Sequence, residues 1–183
     1  MRHPIIVGAL AALITLAPLA RAQSAPASTT TIILVRHAEK AAEPATDPGL
    51  TSAGVARAEA LVELLKDAGI SAVVSTQYQR TRLTAAPIAA KLGLTTEIID
   101  ARATPRATAD SILARHRGQT VLVVGHSNTV PAMVAALGAP QPAEICDAGY
   151  DNLFVVTVPA AGTPTVTRMH FGVAAGECAG SMK

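Results

Sequence analysis

The chain has 183 residues, 50% of them hydrophobic, with 15 basic side chains against 13 acidic ones and a formal charge of +2. That length supports one domain with a proper core. The near balance of charge excludes a general nucleic-acid binder, so no nucleic-acid partner is expected and any positive field must be local.

The first 22 residues read as a leader. Met1, Arg2, His3 and Pro4 make a basic start, residues 5–20 are apolar and uncharged, and Ala20-Arg21-Ala22 is a small-x-small site before Gln23. Together these form a secretory signal peptide. The competing reading, a membrane anchor, asks for about 20 apolar residues, and this run is shorter and contains Pro18. Cleavage would remove Arg2 and Arg21 and bring the formal charge to zero. The expected location is periplasmic or secreted, with no membrane association after cleavage. In an exported chain the two cysteines, Cys146 and Cys178, are expected to form a disulfide. In the chain-entropy model that closure contributes roughly 3 kcal/mol. The alternative is two free thiols. A catalytic thiol is disfavoured, because neither cysteine sits in a basic or histidine-containing motif.

Residues 23–30, rich in Ala, Ser, Thr and Pro, are expected to be a disordered linker, with the domain proper over 31–183. Residues 31–35 form an apolar run that reads as a buried strand. Residues 41–49, with Pro44, Asp47, Pro48 and Gly49, are a loop. Thr51 caps a helix whose apolar positions Val55, Ala58, Leu61, Val62 and Leu65 recur at helical spacing, with Gly69 as its end. A second strand is expected over 71–75. A second helix follows over 79–92, stopped by Gly93, where Pro87 predicts a kink or a late start. A third strand at 95–99 precedes a short helix at 108–117. The basic end of that helix, Arg115-His116-Arg117, suits a C-terminus and reads as solvated. A fourth buried strand, 120–124, ends in Gly125-His126-Ser127-Asn128. A helix over 131–137 follows, then two strand-like runs, 153–158 and 165–171, that can pair as a hairpin. Alternating strands and helices predict an α/β fold. The expected architecture is a three-layer α/β/α sandwich, with a mostly parallel central sheet and an antiparallel edge formed by the last runs.

Ligands of open α/β sheets bind beyond the carboxyl ends of the strands. The first strand releases Arg36 and His37 there, the second releases 75–82 with its arginines, and the fourth releases His126. Arginine offers planar, bidentate donors that suit phosphate. Histidine can be a nucleophile at neutral pH without prior activation. Two arginines would hold an anionic phosphoryl group and depress the imidazole pKa. A second histidine could donate to the equatorial oxygens of the transition state. The set points to phosphoryl transfer through a phosphohistidine.

These residues also carry a resemblance. Leu34-Val35-Arg36-His37-Ala38-Glu39 resembles the Arg-His-Gly signature of the histidine phosphatase (phosphoglycerate-mutase-like) superfamily. Leu50-Thr51-Ser52-Ala53-Gly54 is similar to its Leu-Thr-x-x-Gly segment. Ser75 through Arg80 to Thr84-Ala85 resembles its Ser-x-x-x-x-Arg-x-x-x-Thr-Ala segment, and Gly125-His126-Ser127 its second-histidine motif. The four come in family order. The resemblance implies the phosphoglycerate-mutase-like sandwich, no cofactor and no metal. It makes His37 the phosphorylated nucleophile, Arg36 and Arg80 the phosphoryl clamp, and His126 the second histidine of the pocket. Family spacing prefers Arg80 over Arg82.

Departures from the family pattern limit the rest. Ala38 replaces the usual Gly. Lys40 and Glu43 stand where mutases carry other residues; Lys40 and Ser127 are candidate substrate contacts, and Glu43 is expected to point away from phosphate. The general acid is the gap. Glu39, Glu97, Asp100 and Asp151 are candidates, and Glu39 is counted with the catalytic residues. Without an acid, substrates with good leaving groups are favoured: phosphohistidine, phosphoanhydrides or acyl phosphates. The partner is then a small phosphorylated substrate or a phosphoprotein. Zinc held by His37, His126 and a carboxylate is disfavoured by two adjacent arginines. The remaining alternatives are a non-catalytic phospho-ligand-binding module and, less favoured, a phosphomutase. Loops 41–49 and 138–150 are expected to wall the pocket.

Overall fold

The computed structural model describes residues 28–176. The expected leader, most of the 23–30 linker and Cys178 lie outside the described residues. Among the described residues the elements are β1 (Thr30–Arg36), α1 (Ser52–Leu65), β2 (Ile70–Thr76), α2 (Gln79–Leu92), β3 (Thr96–Ile99), α3 (Pro105–Arg115), β4 (Thr120–Gly125), α4 (Thr129–Ala136), β5 (Asn152–Val158) and β6 (Thr165–His170).

The unbroken apolar run of β1 has a direct cause: both of its faces are covered. Ile32 and Leu34 pack in a cluster with Ala109 and Ile112 of α3 and Val130, Met133 and Val134 of α4. Ile33 and Val35 pack in the opposite cluster, with Leu61, Val62 and Leu65 of α1 and Ala85 and Ile88 of α2. Successive side chains of a strand point to opposite faces, so one run serves two cores. Each large side chain buried this way contributes about 1.5–3 kcal/mol. The six strands lie in the order β3-β2-β4-β1-β5-β6. β1 to β4 run parallel, while β5 is antiparallel to β1 and β6 to β5. Helices α1 and α2 cover one face and α3 and α4 the other. The fold is the expected three-layer α/β sandwich with an antiparallel edge.

Local signals set the helix ends. The Thr51 hydroxyl accepts the Gly54 N–H at 3.1 Å, an N-cap for α1. Gly93 closes α2 at φ 67°, a left-handed position suited to glycine. Five expectations change. Helix α1 ends at Leu65 with Lys66 as its cap, four residues before Gly69. Helix α3 begins at Pro105, which occupies its first turn behind the Thr104 cap, and not at residue 108. Helix α2 starts at Gln79 and carries Pro87 inside it, so the late start does not occur. Val55 is 53% exposed, and Arg57 is buried instead. His116 is also buried, packed on Glu97 at 3.1 Å, and is not a solvated end charge.

Candidate active site

Strand register does the first placing. Arg36 pairs with Gly125 across the β1–β4 ladder, and the His37 N–H donates to the Gly125 carbonyl at 2.9 Å. His37 and His126 therefore leave neighbouring parallel strands side by side. Their rings meet edge to face, with centroids 5.5 Å apart. β2 borders β4 on its other side, and its last residue, Thr76, brings its hydroxyl within 3.2 Å of His126 Nε2.

His37 is buried, and its Nδ1 lies 2.8 Å from the Ala38 carbonyl. A carbonyl only accepts, so Nδ1 carries the proton and Nε2 keeps a lone pair. Burial, then the charge of Arg36 and the proximity of His126 and Arg80, pushes the His37 pKa down to about 4, against the opposing Ala38 hydrogen bond. Burial and the two arginines bring His126 to about 4 as well. Both imidazoles are therefore neutral at physiological pH. A Thr76 hydroxyl that donates to His126 Nε2 leaves an Nδ1–H for another acceptor. Thr81 Oγ1 lies 2.8 Å from the Thr76 hydroxyl and can complete the chain.

The two arginines stand on different elements and are braced alike. Arg36 closes β1 and is 4% exposed. Its Nη1 donates to the carbonyls of Cys146 at 2.8 Å and Asp147 at 3.0 Å, and its guanidinium carbon sits 4.1 Å from the Tyr150 ring centroid. Its Nε is buried and has no hydrogen-bond partner among the described residues. Arg80, in the first turn of α2, places its guanidinium 4.3 Å from the Tyr78 ring centroid. The chain has 2 tyrosines, and each lies against one of these arginines. Such stacking fixes the guanidinium plane and leaves its N–H edge available to an anion. The tyrosines also flank the histidines: Tyr150 is 6.1 Å from His37 and Tyr78 is 5.6 Å from His126, centroid to centroid. Both expected loops reach the site. The 138–150 loop supplies the Arg36 acceptors and Tyr150. The 41–49 loop brings Asp47 Oδ1 to 2.9 Å from the Gln79 N–H and 3.9 Å from Arg80 Nη1.

Other expected residues fall elsewhere. Glu39 is gripped by Arg57, with contacts from 2.7 to 3.0 Å to its two oxygens. Burial would raise its pKa, but the Arg57 hydrogen bonds, a backbone hydrogen bond and the charges of Arg57 and Arg36 together outweigh this, and the net shift is downward. An ionised carboxylate held by arginine is not placed as a proton donor; its role is to seat α1. The same loop explains the glycine of the Leu-Thr-x-x-Gly segment, since a Cβ at Gly54 would collide with the Glu39 carbonyl. Glu97 is bonded to Arg115 at 2.9 Å and to His116. Asp100 is held by Arg102 at 2.9 Å, and Asp151 by His170 at 3.0 Å. Lys40 is exposed, its backbone bridged to Leu50. Ser127 lines a separate cleft with Asn128, Gln141 and Glu144. Glu43 caps its own loop at Ala45. Arg82 is exposed on the outer face of α2. The structure thus gathers Arg36, His37, Arg80 and His126, and does not gather Glu39, Lys40 or Ser127. Sequence reading missed Tyr78, Tyr150, Asp47 and Arg57. The scarcity of tyrosine was the one signal for the first two.

Among the described residues, no group of three or more His, Cys, Asp or Glu is arranged to hold a metal ion. At neutral pH the set offers a neutral nucleophilic nitrogen and two fixed cations. NMR titration is expected to show both imidazoles changing near pH 4 and not near the ordinary 6.5. Because the native values are depressed, the unfolded chain binds more protons between these limits. The stability they confer is present above pH 6.5 and is lost as pH falls toward 4.

Comparison with known proteins agrees with this fold. Residues 32–103 match the family model of the histidine phosphatase superfamily (branch 1). The protein histidine phosphatase SixA, solved with tungstate, superposes with a TM-score of 0.65 at 20% identity, covering 76% of this chain and 96% of SixA. A mycobacterial glucosyl-3-phosphoglycerate phosphatase gives a TM-score of 0.60 at 13% identity, over 78% of this chain and 98% of its own. A phosphoserine phosphatase from Entamoeba histolytica in complex with phosphoserine gives 0.59 at 15%, over 78% and 96%. No curated protein matches the sequence. Residues 32–103 are thus similar to the histidine phosphatase superfamily, and the fold is the one these solved phosphatases share.

Proposed function

We propose that the protein is a metal-independent phosphatase acting through a phosphohistidine on His37. The observation that carries this is the Nε–H of Arg36, buried and without a partner among the described residues, beside a neutral imidazole. An orphaned buried donor costs about 1–3 kcal/mol, and a phosphoryl oxygen would satisfy it. In the first step His37 Nε2 attacks phosphorus and the bond to the leaving group breaks. Arg36, Arg80 and His126 Nδ1–H take the charge on the equatorial oxygens. In the second step water attacks the phosphohistidine, the P–N bond breaks, and inorganic phosphate leaves with the water oxygen.

The four carboxylates considered as the acid are all engaged elsewhere. This favours substrates whose leaving group departs without strong proton assistance: phosphohistidine, an acyl phosphate or a phosphoanhydride. The likeness to SixA supports a phosphohistidine substrate. The engagement of these four carboxylates also supports the rival reading, a module that binds phosphorylated ligands without turnover. Incubating the protein with a panel of these substrates separates the two. The phosphatase reading expects phosphate release and an acid-labile, base-stable adduct. Binding without release or adduct across the panel would establish the module. We further propose that the chain is exported after cleavage following Ala22 and joined by a Cys146–Cys178 disulfide. Sequencing of the exported chain from its N-terminus is expected to begin at Gln23.

A further inference from the structure

Thr84 belongs to the Arg-x-x-x-Thr-Ala segment, yet the chemistry above gives it no part. Its side chain is buried at 1% exposure. Its single hydroxyl makes two bonds: it accepts the Ala38 N–H at 2.9 Å and donates to the Arg80 carbonyl at 2.7 Å. The second bond alone would be unremarked, since threonines in helices often bond back one turn. The first is different. It reaches across 46 residues to the residue that follows the nucleophile, and the carbonyl of that residue is the acceptor for His37 Nδ1.

We propose that Thr84 is a positioning residue, coupling the nucleophile to the phosphate clamp through one hydroxyl. The proposal rests on the phosphatase reading. Thr84 holds Ala38 by its N–H, and Ala38 in turn holds the His37 ring by its carbonyl. The backbone of Arg80 hangs from the same oxygen, so the turn that carries the clamp and the loop that carries the nucleophile stay within two hydrogen bonds of each other. Without the hydroxyl, the Ala38 N–H is buried without an acceptor, which is costly. The loop then relaxes, the Ala38 carbonyl turns from Nδ1, and the His37 ring loses its fixed tautomer and aim. Small misplacements of reacting groups are enough to cost about a hundredfold in rate.

The test compares Thr84→Val, which keeps the shape and removes the hydroxyl, with Thr84→Ser, which keeps the hydroxyl. Phosphoenzyme formation is followed with acetyl phosphate by rapid quench. Thr84→Val is expected to lower the phosphorylation rate roughly ten- to hundredfold, with the loss in kcat exceeding any change in KM. Thr84→Ser is expected to stay within about threefold of the wild type, since it restores both bonds. Ile88→Val, in the core of the same helix, supplies a variant destabilised without touching the site and is expected to react normally. Should Thr84→Val not fold, Thr84→Cys, a poor hydrogen-bonding replacement, is expected to show the same loss. The proposal is overturned if Thr84→Val phosphorylates at the wild-type rate, if serine fails to restore it, or if Ile88→Val loses as much. Absence of any adduct in the wild type overturns the phosphatase reading and this proposal with it. A wild-type adduct formed equally fast in Thr84→Val overturns this proposal alone.

Discussion

His37→Ala is expected to lower kcat by roughly ten-thousandfold or more and to remove the acid-labile adduct altogether. The site holds a second imidazole, but His126 is not a substitute. Its Nε2 faces the Thr76 hydroxyl at 3.2 Å, and with that nitrogen accepting, Nδ1 carries the proton and has no lone pair for attack. Arg36 and Arg80 remain in this variant, so affinity for inorganic phosphate is expected to change little. That contrast, chemistry lost and anion binding kept, marks a nucleophile. A variant that retained more than about a hundredth of wild-type turnover would remove His37 from that role. Circular dichroism and the melting temperature check that the loss is chemical, because the ring is buried and its removal leaves a small cavity.

Arg36→Lys is expected to reduce kcat/KM by roughly a thousandfold, even though the formal charge is unchanged. The guanidinium has several tasks at once. It bonds the Cys146 and Asp147 carbonyls, lies on Tyr150, and presents an Nε–H that has no partner among the described residues. A lysine ammonium is a point charge without a plane. It can meet one of these demands and leaves the others open, so the 138–150 wall loosens as the clamp is lost. Both kcat and KM should worsen, unlike His37→Ala. Inhibition by orthovanadate measures the clamp directly and should weaken in parallel. If Arg36→Lys inhibits and turns over like the wild type, the guanidinium geometry is not what binds phosphate.

The sheet was legible because its signal is coarse. A run such as Ile32–Val35 (apolar at every position) can only be covered on both faces, and the strand exits follow from that. The core of the site was legible for the same reason: Arg36, His37 and His126 sit at strand ends, where position along the chain becomes position in space. What the sequence hid are the cross-chain partnerships. Arg57 stands in a helix whose apolar positions looked sufficient without it. Its burial depends on Glu39 and on the Phe171 carbonyl, which accepts its Nη1 at 2.9 Å, and neither partner is near it in sequence. Glu39 stands among the candidate acids in the sequence because its partner Arg57 is out of view there. His116 looked like a solvated charge because Glu97 lies on a different element. The start of α3 was misplaced for a local reason: Pro105 was passed over, although proline is at home in a first helical turn.

The order of the strands has a consequence for how the protein comes into being. β4 lies between β1 and β2, which do not touch each other along their lengths. Until residues 120–125 are in place, the two strands made earliest present open edges to one another across a gap. The strand that fills the gap is also the one that delivers His126, and its Gly125 carbonyl accepts the His37 N–H. Closing the sheet and bringing the two histidines together thus depend on the same strand. A chain that lacks β4 can therefore neither close the sheet nor bring His126 beside His37.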